Sequence, residues 1–171
     1  IIWFNTDLMA ILTENSLHYI CRIPESAYAF QDKLAGLKFF DPACGSGNFL
    51  TESYTSLRRL ENEALRIIYG GDRVIGEMAT IKVSINQFYG IEINDFACSV
   101  AQTALWIAES QMMAETDEIV GYFLDPLLLK TYNNIREGNA LRMDRNEVVA
   151  PEELDYIMGN PPFIGYSLQS D

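Results

Sequence analysis

The stretch Asp41-Pro42-Ala43-Cys44-Gly45-Ser46-Gly47-Asn48-Phe49-Leu50 decides the fold. Before it stands the apolar run Leu37, Phe39 and Phe40, short enough for a buried strand. After it Leu50, Tyr54, Leu57, Leu60, Ala64 and Ile67 recur at helical spacing, predicting one face of a helix that ends near Gly70-Gly71. A strand that breaks at two glycines and restarts as a helix gathers backbone N–H groups around one hollow. Such a hollow can cradle an anionic or strongly polar group at the helix N-terminus. Asp41 adds a carboxylate at the strand's carboxyl end, where open α/β sheets bind ligands. The spacing is not that of a dinucleotide site, because Leu50 stands where the third glycine would be. A Walker lysine is also missing, so neither NAD nor ATP is the natural ligand.

Working outward, Pro24 to Ala35 reads as a helix, with Pro at an early position, Ala27, Phe30 and Leu34 on one side, and Gly36 as the stop. Asn5 to Leu12 reads as a weaker, short helix. Downstream, Asp72 to Asn86 stays open between an edge strand (Ile81, Val83 and Ile85 alternate with polar residues) and an ordered loop. Gln87 to Ile93 is a second core strand. Asn94 can cap the helix that follows, with Phe96, Val100, Ala104 and Ile107 expected to face inward. Glu115 to Lys130 is expected to be a mixed connection, followed by strands near Ile135–Leu141 and Leu154–Met158. This alternation predicts an α/β fold, mainly a parallel sheet with right-handed crossovers and flanking helices.

Further signals sit at the strand ends. Glu92 closes the second strand, where a carboxylate can accept hydrogen bonds from both hydroxyls of a ribose; it can equally be a solvated strand-end Glu. Ile93 offers an apolar wall to a flat ring, or is simply core. Asn139, in Gly138-Asn139-Ala140-Leu141, can pair with a purine edge or cap a turn. Asn160-Pro161-Pro162-Phe163 follows an apolar strand, and its prolines fix the backbone so that the carbonyl of Pro161 is held outward. An amide oxygen and a main-chain carbonyl side by side make a pair of acceptors for one planar amino group. Phe163 supplies a flat face beside them. Two hydrogen bonds to the amine hydrogens pull its nitrogen toward tetrahedral geometry and free its lone pair.

Composition narrows the class. Apolar residues make up 49% of the 171, no apolar run is long enough to cross a membrane, and nothing resembles a signal peptide. Cys21, Cys44 and Cys98 show no paired spacing, which predicts a reducing cytoplasm. His18 is the only histidine, so no metal site is expected. The net charge of −12 argues against a grip on a phosphate backbone, and the Arg58-Arg59 pair reads as a solvated helix face.

The order of Asp41 to Leu50, then Gly90-Ile91-Glu92-Ile93, then Asn160 to Phe163 resembles the amino-methyltransferases that act on adenine in DNA. Thr51 to Tyr54, Leu57 to Glu61, Gln87 to Tyr89 and Ala104-Leu105-Trp106 are similar to the MmeI-like class I branch of restriction–modification enzymes. The resemblance runs from about Leu34 to Tyr166. It implies a Rossmann-like fold dependent on S-adenosylmethionine, in two parts: a helical lead-in over 1–36 and a partial methyltransferase domain over 37–171, truncated before the later strands. It also implies that Asp41, Pro42, Asn48 and the backbone of Ala43, Cys44, Gly45 and Gly47 surround the methionine end of the cofactor. Glu92 would take the ribose, and Ile93, Asn139 and Ala140 the adenine. The family often has Asp where Asn139 stands. Asn160, Pro161, Pro162 and Phe163 would hold the target adenine, and the methyl would pass directly to its amine with no covalent enzyme intermediate. DNA would be held by parts of the parent protein outside this chain, among them a target-recognition region and, in some relatives, a nuclease; the isolated piece is expected to be inactive. Two other readings carry less of this pattern: methylation of a protein glutamine amide or an RNA base amine, and a non-catalytic cofactor-binding scaffold.

Overall fold

The computed structural model describes residues 24–69, 80–121 and 132–160. Helix α1 (Pro24–Gly36) opens on a proline, whose missing N–H costs nothing in a first turn, and buries Ala27, Phe30 and Leu34. Strand β1 (Phe39–Asp41) leads through the glycine turn into α2 (Asn48–Tyr69). Residues 80–84 form no regular element and Ile85–Gln87 is a 3-10 turn, so the loop reading of this region holds for its described part. Strand β2 (Phe88–Glu92) is followed by α3 (Asp95–Val120). Asn94 caps α3 by accepting from Ala97 N–H at 3.0 Å, and Gly121 ends it in the left-handed conformation at φ 76°. The connection expected from Glu115 therefore begins six residues later in the chain, at Gly121. Strands β3 (Ile135–Glu137) and β4 (Tyr156–Ile157) complete the described elements. The short helix expected at Asn5–Leu12 lies outside the described residues.

The sheet order is β3-β2-β1-β4 and every pairing is parallel. The chain thus moves from β1 to one side for β2 and β3, then returns to lay β4 on the other side of β1. That reversal puts the topological switch point between β1 and β4, at the carboxyl ends where both functional loops begin. Successive residues of β1 serve opposite faces. Phe39 joins the main core with all three helices, whereas Phe40 packs with Ile91 and Val149 on the far face.

An aromatic stack fixes the register of three strands. The ring of Phe39 lies between Phe88 of β2 (centroids 4.9 Å apart) and Tyr156 of β4 (5.2 Å), both nearly parallel to it. Residue pairs Phe39–Phe88 and Phe39–Tyr156 are also the backbone register partners. Tyr54 of α2 meets the edge of Phe88 at 85°, which ties the helix to the same stack.

Two expectations about helix faces need correction. Arg58 is not solvated: it is fully buried and ion-paired with Glu61, while Arg59 alone faces solvent. On α3 the buried set is Cys98, Ala101, Leu105, Ala108, Met112 and Thr116. Phe96, Val100 and Ile107 are exposed and Ala104 is half-buried. The physical reason is size. A Cβ added at Gly47 would come within 2.8 Å of Ala101 Cβ, so the start of α3 sits almost on the glycine turn. Only small side chains fit that approach, and the large ones turn outward.

Candidate active site

The glycine turn is built from local backbone demands. Gly45 (φ 55°) and Gly47 (φ 79°) adopt the left-handed conformation that side chains disfavour. Gly47 N–H donates to Cys44 carbonyl at 2.8 Å, and Thr51 N–H to Gly47 carbonyl at 2.8 Å, which closes the turn and starts α2. Asn48 is exposed at the helix start and accepts from the Ser46 hydroxyl at 3.3 Å. An added Cβ at Gly45 would meet nothing within 4 Å, so open space lies over this part of the turn.

Strand β2 holds the turn from the side. Cys44 N–H donates to Ile91 carbonyl at 3.0 Å, and Gly45 N–H donates to Glu92 Oε2 at 2.9 Å. Glu92 Oε1 accepts from Asn94 N–H at 3.0 Å, so this carboxylate bridges the glycine turn and the cap of α3. Each of its oxygens keeps a further lone pair for a ligand hydroxyl. Cys44 is a packing residue: its Sγ lies 2.9 Å from the position of a Cβ at Gly90, and burial pushes its thiol up to about 12. Only its backbone belongs to the turn.

Asp41 is the perturbed carboxylate of the site. It is 1% exposed, and Oδ1 accepts from Ala43 N–H at 3.0 Å. Oδ2 is buried and has no hydrogen-bond partner among the described residues. Burial raises its carboxyl to about 6; the Ala43 N–H pulls the other way, and the charge of Glu92 adds to the rise. A buried carboxylate oxygen in such a position suits a cationic or N–H donor.

Strand β4 delivers the second loop to the same place. Asp155 and Tyr156 N–H groups donate to Lys38 carbonyl at 3.1 and 3.0 Å, and Met158 N–H donates to Phe40 carbonyl at 2.9 Å. The next residue, Gly159, has φ 149°, and a Cβ there would lie 2.5 Å from Asp41 Oδ1. Asn160, exposed, follows directly. The glycine turn and the start of the Asn160 loop, more than a hundred positions apart in the chain, thus meet at one end of adjacent parallel strands.

Residues 17–171 match the family model described as MmeI, DNA-methyltransferase domain. The chain belongs to this family. It is 44% identical over 142 residues to DNA methyltransferase A of Bacillus subtilis (strain 168), covering 81% of the chain and 16% of that protein. It is 25% identical over 162 residues to a putative type II restriction enzyme and methyltransferase of Methanocaldococcus jannaschii, covering 92% of the chain and 13% of that protein. A solved structure of the Type IIL restriction-modification enzyme MmeI in complex with DNA matches with a TM-score of 0.85 and 38% identity, over 96% of this chain and 23% of that one. The chain therefore spans less than a quarter of each of these relatives. The α/β fold with a parallel sheet is the Rossmann-like methyltransferase fold of this family.

The other expected site residues fall as follows. Pro42 and Ala43 are half-buried in the turn, and Ile93 is 67% exposed beside Glu92. Asn139 follows β3, where Gly138 N–H donates to Glu92 carbonyl at 2.8 Å. Its amide oxygen accepts from Leu141 N–H at 2.9 Å, so Asn139 shapes the turn and keeps one acceptor lone pair for a ligand. Ala140 packs toward the Phe40–Ile91 cluster. Pro161, Pro162 and Phe163 lie outside the described residues. The sequence places Gly159 with Asn160 after an apolar strand but gives it no role of its own; its approach to Asp41 is visible only in the fold. Among the described residues no group of His, Cys, Asp or Glu could hold a metal ion, and no helix is long and apolar enough to cross a membrane.

Proposed function

We propose that the protein containing this chain methylates the exocyclic amine of adenine in DNA, with S-adenosylmethionine as donor, in a restriction–modification setting. The observation that carries the proposal is the approach of Gly159, and hence Asn160, to Asp41 at the switch point. The residues present fit the donor: the unpartnered Asp41 oxygen suits its ammonium, and the open space over Gly45 leaves room for its chain. When bound, the donor would supply an electrophilic sulfonium methyl for direct transfer to the target amine.

The chain's own residues bind and orient. Asp41 and the Ala43–Gly47 backbone receive the methionine end, with Pro42 and Asn48 framing it. Glu92 receives the ribose hydroxyls, and Ile93, Asn139 and Ala140 flank the adenine. Asn160 and the carbonyl of Pro161 accept from the target amine, Pro162 holds that backbone, and Phe163 stacks on the base. Extruding a base costs a few kcal/mol, and stacking on one aromatic returns about 1–3 kcal/mol. The remainder must come from hydrogen bonds and from a basic grip on the backbone supplied outside this acidic chain. The same reading places the protein in the cytoplasm, where Cys44 and Cys98 stay free thiols.

The test is methylation of plasmid DNA by the full-length protein with labelled S-adenosylmethionine, followed by digestion to nucleosides. The expected product is N6-methyldeoxyadenosine. Label on cytosine, on RNA or on protein, with none on adenine in DNA, would overturn the proposal.

A further inference from the structure

We propose that Gly159 is a positioning residue that sets the spacing between the donor pocket and the base-holding loop, because its lack of a side chain leaves the space that the Asp41 carboxylate fills. The inference rests on the function proposed above. A Cβ at position 159 would lie 2.5 Å from Asp41 Oδ1, 3.1 Å from Cγ and 3.4 Å from Oδ2. Neither partner can yield cheaply. Asp41 has a short side chain at a strand end, is 1% exposed, and is held through Oδ1 by Ala43 N–H. Strand β4 is pinned by Met158 N–H on Phe40 carbonyl at 2.9 Å, by the Tyr156–Phe39 stack, and by the Ser53 hydroxyl on Met158 Sδ at 3.2 Å. A methyl group at 159 must therefore push the Asp41 carboxylate out of the glycine turn or swing Asn160 away from it. Either motion separates donor from acceptor, and a misplacement of about 1 Å can cost about 100-fold in rate.

The experiment is a double-mutant cycle in the full-length protein: Gly159→Ala, Asp41→Ala, and both together, with Asn160→Ala alongside. Three quantities are read: S-adenosylmethionine affinity by calorimetry, single-turnover methyl transfer, and the thermal unfolding midpoint without ligand. Gly159→Ala alone should weaken donor binding at least tenfold and slow transfer about 100-fold. In the Asp41→Ala background the same change should cost less than about threefold and lower the midpoint by less than it does in the wild-type background, by the backbone cost alone. The backbone cost of φ 149° is common to both backgrounds and cancels, leaving the contact. Equal penalties in both backgrounds would overturn the inference. Should Gly159→Ala fail to fold, recovery of folded protein in the double variant supports the contact, and failure there refutes it. Full transfer by Asn160→Ala would instead sink the proposed function, while the cycle in the midpoint still judges the contact by itself.

Discussion

Removing the carboxylate of Glu61 should destabilise the fold more than removing its partner Arg58, although the two form one ion pair. Both side chains are fully buried, and Arg58 Nη1 donates to Glu61 Oε2. Glu61 does more than this. Its Oε1 accepts from Gln31 Nε2 at 2.7 Å, Lys82 N–H at 2.6 Å and Val83 N–H at 3.2 Å, so one carboxylate binds α1, α2 and the segment before β2. Outside the pair Arg58 donates through Nη2, to the Thr116 hydroxyl at 2.7 Å and, more weakly, to Met112 carbonyl at 3.5 Å, and Nε has no hydrogen-bond partner among the described residues. Breaking a buried pair from one side costs about 3–5 kcal/mol. In Arg58→Met the stranded carboxylate keeps its N–H donors, so the loss belongs at the low end, about 3 kcal/mol. In Glu61→Leu the guanidinium is stranded and the Lys82 and Val83 N–H groups lose their acceptor at about 1–3 kcal/mol each, which brings the loss to at least about 5 kcal/mol. The double variant removes the stranded charge but not the orphaned N–H groups, and should lie between the two, at about 4 kcal/mol. Urea unfolding followed by circular dichroism, compared at constant slope, measures all three. A loss for Glu61→Leu no larger than that for Arg58→Met would refute the reasoning, because it would mean the backbone donors had found other acceptors.

Asp41 should make stability depend on pH. Its folded-state carboxyl, raised to about 6 from 3.8, holds its proton more tightly than the unfolded chain does, so its contribution is full below the unfolded value and is lost as pH rises through 6. At about 1.4 kcal/mol per unit the swing is about 3 kcal/mol, and Asp41→Asn should remove it from the difference in unfolding free energy between about pH 4 and pH 7; an unchanged difference would contradict the burial argument. Gly47→Ala combines a φ of 79° with a Cβ 2.8 Å from Ala101 Cβ, and should cost more than about 1 kcal/mol in the same unfolding assay, partly restored by Ala101→Gly. Wild-type stability for Gly47→Ala would show that α3 can move off the turn.

The elements whose existence depends on local chemistry were legible in the chain itself. Two glycines between an apolar run and a helical pattern can do little but turn a strand into a helix, and Asn94 before α3 caps it as its side chain allows. What periodicity did not reveal was direction. Helix α3 is apolar nearly all round, so two stripes satisfy helical spacing equally well. Hydrophobicity favours the one with Phe96, Val100 and Ile107, whereas the fold buries the stripe of Cys98, Ala101, Leu105 and Ala108, which puts small Ala101 at the close approach to Gly47. Arg58 escaped for the complementary reason. A charged residue reads as solvated unless its partners are known, and only Glu61 is close in sequence, while Thr116 comes from another helix.

For the site, the letters announced two loops but not the distance between them, and that distance is set by residues with no chemistry of their own. Strand β4 is only two residues long, too short to hold a register by backbone bonds alone. It is placed by stacking Tyr156 on Phe39, which is already clamped on its other face by Phe88. The stack bridges all three strands at their shared register, so the chain leaves β4 at Met158 with its direction already determined. Gly159 then stands against Asp41 because nothing at that point has room to be larger. The position of Asn160 relative to the glycine turn is therefore a property of the aromatic core beneath the sheet's end. A change such as Phe39→Leu, though remote from any ligand, should act on the spacing of the two loops before it acts on either loop alone.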